Sequence, residues 1–138
     1  IRLSLVGSEM CIRDRYLSGN IKMIYKIRPG GKLMDAIRTY NDYKEIIRSH
    51  DTVIIKFYAD WCPDCSALNH FIRPIMEEYR YMDWYELNRD EIPTAADEND
   101  VTGIPGLLIF KKGRKTAHLH PLNAKSPGDV RKFLKENL

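Results

Sequence analysis

No stretch of this 138-residue chain approaches the roughly 18 consecutive apolar residues that a membrane helix needs. A membrane-spanning role is thereby set aside, and a soluble protein is expected. Only three cysteines are present, too few to staple a small secreted scaffold, so a reducing compartment, the cytoplasm, is the expected setting. The net charge is just +3, spread through mixed-sign segments. The densest basic patch, Lys111, Lys112, Arg114 and Lys115, straddles Gly113 as a strand turn would, which gives nucleic-acid binding no real support. With 43% hydrophobic and 30% charged residues, the chain can fill one core but not two.

Residues 1 to about 16 show no helical or strand period and no cap, and the run Ser4 to Arg15 resembles translated sequencing-adapter DNA. It is set aside as a tag would be. The expected division is 1–20 as a disordered or spurious segment and 21–138 as one domain, with Met23 a plausible start. Cys11 then counts as incidental.

Ile21 to Ile27 alternates apolar and polar residues as a half-buried strand does, and Pro29-Gly30-Gly31 ends it. From Leu33 to Ser49, Leu33, Ile37, Tyr40, Tyr43 and Ile47 recur at helical spacing, with a break near Asn41. Thr52–Ala59 is a β-branched and aromatic run that suits a central strand buried on both faces. After Asp60-Trp61-Cys62-Pro63-Asp64-Cys65, the residues Leu68, Phe71, Ile72, Ile75, Met76 and Tyr79 line one helix face, with a kink expected at Pro74. Strands over 81–88, 107–112 and 114–120, a short helix over 93–100 and a last helix capped by Ser126-Pro127, with Val130, Phe133, Leu134 and Leu138 inward, complete the order β-α-β-α-β-α-β-β-α. An α/β fold follows, with a mixed sheet covered by helices on both faces.

The chemistry points to Cys62 and Cys65. A thiol attacks only as the thiolate, and a free pKa of about 8.5 leaves little of it at neutral pH. Cys62 stands where a buried strand meets a helix, so unpaired N–H groups and the positive end of the dipole face its sulfur. Pro63 fits the first turn, where its missing N–H costs nothing. Cys65 is then placed to resolve a mixed disulfide formed at Cys62. A zinc site would need two more ligands; there is no second cysteine pair, and His118 and His120 read as a solvated strand face, so no metal is expected.

Three separated segments, Phe57-Tyr58-Ala59-Asp60-Trp61-Cys62-Pro63-Asp64-Cys65, Gly103-Ile104-Pro105 and Leu107 to Gly113, resemble the thioredoxin family in order and separation. The Cys-Pro-Asp-Cys version looks most like small bacterial cytoplasmic members. The resemblance implies a thioredoxin fold and a monomeric protein-disulfide reductase. It implies no bound cofactor beyond a redox-active Cys62–Cys65 disulfide, with disulfide-containing proteins as substrates and a recycling reductase such as a thioredoxin reductase as partner. It also implies that Pro105 is a cis-proline facing the cysteines, that Ile104 offers backbone groups to an extended substrate, and that Trp61 flanks the nucleophile in a docking surface.

The chain departs from the family at several positions. Lys56 occupies the place of a buried aspartate, and Glu86 that of its lysine partner. One reading is a reversed ion pair under the active site, with Glu86 as proton acceptor; the other is a snorkelling Lys56 and a solvated Glu86. Breaking such a buried pair from one side costs several kcal/mol. Asp60 and Asp64 oppose ionisation of Cys62 and favour a reducing protein. Gly106 replaces a common threonine, and Pro121 stands where glycine is frequent. The altered positions leave a second function open, a binding module of the same fold that docks a partner without turnover.

Overall fold

In the computed structural model, residues 34–138 are described. The segment 1–20 and the strand expected over 21–27 lie outside them. The organising element is Thr52–Tyr58 (β2), in which every residue from Val53 to Phe57 is buried. A strand with both faces covered must be central, and it is: parallel to Asp83–Asn88 (β3) on one side and antiparallel to Gly106–Lys111 (β4) on the other. Asp35–Ile37 (β1) adds in parallel to β3, and Arg114–Leu119 (β5) adds antiparallel to β4. The sheet order is β1-β3-β2-β4-β5.

Side chains alternate along β2, and the two faces receive different helices. Ile54 packs with Leu68, Ile72, Ile75 and Met76 of Pro63–Glu78 (α2) and with Val130, Phe133 and Leu134 of Pro127–Asn137 (α4). Val53, Ile55 and Phe57 pack with Tyr43 and Ile47 of Tyr40–Ser49 (α1) and with Ala95 and Ala96 of Pro93–Glu98 (α3). Helices thus cover both faces, as expected, and from α1 onward the helices and strands follow one another in the expected order, with a short 3-10 turn at Pro121–Asn123 before α4.

The helix expected from Leu33 to Ser49 is divided between a short strand and a shorter helix. The apolar spacing from Leu33 extends through Ile37, yet residues 35–37 form β1 and the helix begins only at Tyr40. Thr39 explains the boundary. Its backbone is extended, and its Oγ1 accepts the Asp42 N–H at 3.0 Å, a cap contributing about 1 kcal/mol. Leu138, expected inward, is exposed because it follows the last turn of α4, donating its N–H to Leu134 O. The β4–β5 hairpin turns on Lys112 and Gly113, both at positive φ, the backbone that a two-residue hairpin requires.

Candidate active site

The strand β2 ends at Tyr58, and the chain turns through Ala59–Trp61 into α2. Cys62 is the N-cap of that helix, with Pro63 in its first turn. The Cys65 N–H donates to Cys62 Sγ at 3.1 Å, so an amide of the helix start points at this sulfur. Cys62 and Cys65 form a disulfide with Cα atoms 5.2 Å apart, and the residues are only 5% and 3% exposed. Across from them the loop before β4 brings Ile104 O to 3.7 Å from Cys62 Sγ, and the Ile104–Pro105 peptide bond is cis. Ala59, Cys62 and Cys65 form one small buried cluster, against which Tyr58 and Ile104 pack.

Trp61 is 65% exposed, so its ring faces solvent beside the cysteines, and its Nε1 donates to Asp90 Oδ2 at 2.7 Å. Asp64 in the first turn of α2 is paired with Lys125 at 3.6 Å, both side chains being mostly exposed. Asn88 Nδ2 donates to Asp60 Oδ2 at 3.5 Å. Gly103 is a packing requirement: a Cβ there would lie 2.9 Å from Pro121 Cγ, so the missing side chain makes room for the proline ring.

Beneath the cysteines, the Lys56 side chain is only 5% exposed, and its Nζ lies 3.2 Å from Glu86 Oε1, on a residue directly opposite it on β3. Lys56 also donates to Asn69 Oδ1 at 2.8 Å. Burial, followed by the Glu86 and Asp60 carboxylates, pushes the Tyr58 phenol up and keeps it protonated.

Every candidate named from the sequence therefore surrounds or underlies one place, the C-terminal end of β2. The reading of the sequence overlooked three partners there: Asn69, Asp90 and Lys125. Asn69 had a usable signal, since it stands four residues after Cys65 on the same helical face. Asp90 and Lys125 lie on loops and carried none. Among the described residues, no group of three or more His, Cys, Asp or Glu side chains could hold a metal ion, and no helix is long and apolar enough to cross a membrane.

Comparison with known families matches residues 35–136 to thioredoxin. Thioredoxin-1 of Saccharomyces cerevisiae is 32% identical over 85 residues, which is 62% of this chain and 82% of that protein. Mitochondrial thioredoxin-2 of Schizosaccharomyces pombe is 28% identical over 82 residues, 59% of this chain and 62% of its own. Among solved structures, oxidised mitochondrial thioredoxin 3 of Saccharomyces cerevisiae aligns with a TM-score of 0.66 and 22% identity, covering 75% of this chain and 94% of its own. That last likeness speaks to the fold alone.

Proposed function

The chain belongs to the thioredoxin family, and on that premise we infer that it is a thiol–disulfide oxidoreductase whose working couple is Cys62 and Cys65. The observation that carries this reading is the disulfide-bonded pair at the start of α2, with an amide N–H aimed at Cys62 Sγ. In the dithiol form, Cys62 thiolate attacks one sulfur of a substrate disulfide, the substrate S–S bond breaks, and one substrate thiolate leaves. Cys65 then attacks Cys62 Sγ, the bond to the substrate sulfur breaks, and the second thiolate leaves. Two electrons and two protons pass to the substrate in all, and the protein retains the Cys62–Cys65 disulfide. A two-electron reductant such as a thioredoxin reductase returns it to the dithiol.

The substrate class we propose is a protein with an accessible disulfide. Its extended backbone would lie along Ile104 and Pro105, with Trp61 as an apolar neighbour; pairing with backbone reads shape more than sequence. We assign the protein to the cytoplasm, as a monomer, because a single redox pair of this kind is kept in use by a reducing pool. The likeness of Cys-Pro-Asp-Cys to bacterial members has no echo in the relatives named above, which are yeasts. The chemistry does not depend on it.

Insulin-disulfide reduction driven by a small dithiol tests the reading, with Cys62→Ser and Cys65→Ser alongside. Turnover that requires Cys62, and a mixed disulfide trapped in Cys65→Ser, are the expected results. A folded protein with titratable thiols and no turnover above the small dithiol would leave the binding module instead.

A further inference from the structure

Lys56 is a cation set in the central strand of the sheet, where it is buried. An ammonium so enclosed persists only where oxygens replace its lost water, and two do so here, Glu86 Oε1 and Asn69 Oδ1. These partners also fix where the charge sits. Lys56 and Tyr58 share a face of β2, and Nζ lies 5.3 Å from the centre of the Tyr58 ring, which packs against the Ala59–Cys62–Cys65 cluster. Asn69 is one helical turn beyond Cys65 on α2. Sheet and helix therefore converge on the ammonium just below the resolving cysteine.

We propose that the Lys56 ammonium, positioned by Asn69 and Glu86, stabilises the thiolate of Cys65 in the reduced protein and thereby sets both its readiness to resolve the mixed disulfide and the redox poise of the pair. The proposal rests on the oxidoreductase reading above. The other charged groups at this end of β2 and α2 are Glu86, paired with Lys56 from β3, Asp60 from the turn, held by Asn88, and Asp64 with its partner Lys125, while the protonated Tyr58 packs against the cysteine cluster. Glu86 is 31% exposed and the Asp64–Lys125 pair more so, whereas Lys56 is sealed from water, so its field is the least screened. Cys65 gives its proton to solvent. Its thiolate then forms the bond to Cys62 Sγ as the bond to the substrate sulfur breaks, and the departing substrate thiolate takes a proton from solvent. In this step Glu86 serves as the counter-ion that holds the Lys56 ammonium in place.

The test is the pH dependence of Cys65 alkylation, measured in Cys62→Ser with and without Lys56→Met. Loss of the cation should raise the alkylation midpoint of Cys65 by about one pH unit. With both cysteines present, Lys56→Met should shift the equilibrium with glutathione about tenfold toward the protein disulfide, ~30 mV more reducing. An unchanged or lowered midpoint in the folded variant overturns the proposal. Should Lys56→Met fail to fold, Glu86→Gln removes the counter-ion and keeps the cation; its Cys65 midpoint should fall, and a rise or no change is equally fatal. Neither readout involves substrate turnover, so failure to reduce insulin would sink the reductase reading without deciding this one.

Discussion

The indole of Trp61 is anchored at its polar end, because Nε1 donates to Asp90 Oδ2 at 2.7 Å while the ring stays in solvent. Asp90 is itself held, its N–H donating to Asn88 Oδ1 at 2.9 Å. The residue beside the nucleophile is thus tied to the loop after β3. Asp90→Ala should free the ring and lower kcat/KM for insulin reduction by about fivefold, near the net value of one hydrogen bond. Most of the loss should fall on KM. Asp90→Asn keeps an oxygen acceptor and should recover most of it, which separates anchoring from the removal of a negative charge near Cys62.

Two glycines flank the Ile104–Pro105 bond and differ in what they tolerate. At Gly103 a Cβ would meet the rigid Pro121 ring at 2.9 Å, whereas at Gly106 the nearest atom, His118 Nε2, is an ordinary 3.5 Å away. Gly103→Ala is therefore expected to cost about 1–3 kcal/mol by urea denaturation, and Gly106→Ala far less. Adding Pro121→Ala to Gly103→Ala should restore most of the stability, a coupling that a double-mutant cycle measures directly. Equal costs at the two glycines would mean that Pro121 is not the obstacle.

The same contrast between local and distant causes decides what could be read from the sequence. β2, α2 and the Cys62–Cys65 junction were legible because burial on both strand faces and the 3.6-residue period both leave marks within a few neighbouring residues. β1 was not: three residues pairing with β3 leave no period of their own, and the helical spacing of α1 ran backward across them past Thr39. The Lys56–Glu86 pair could be posed but not decided, since the choice between pairing and snorkelling depends on how completely α2 and α4 cover that face. Asp90 and Lys125 reach the site only through tertiary folding of loops, which no spacing records.

Lys125 neutralises Asp64, the carboxylate inside the cysteine motif, across 3.6 Å at the protein surface. Reversing it with Lys125→Glu should leave negative charge beside Cys62 uncompensated, disfavour its thiolate, and slow its alkylation near neutral pH about twofold at low ionic strength. Because both side chains are well exposed, the difference should vanish in high salt. A slowing that persists in high salt would point to a changed loop in place of a lost charge.

His118 introduces a pH dependence that belongs to the fold. Its Nε2 is buried and has no hydrogen-bond partner, and burial, followed by Lys115 and His120, pushes the imidazole below its ordinary pKa against a smaller opposing pull from Asp100. The unfolded chain therefore takes up a proton at about pH 6.5 that the folded chain still refuses. Stability from this group is complete above that pH, declines as the pH falls toward the depressed folded value, and levels off below it. Urea midpoints between about pH 7.5 and about pH 5.5 should accordingly drop further for the native protein than for His118→Gln, in which this titration is removed while the other three histidines remain. Parallel declines would assign the pH dependence to those other groups and mean that His118 takes up its proton equally in the folded and unfolded states.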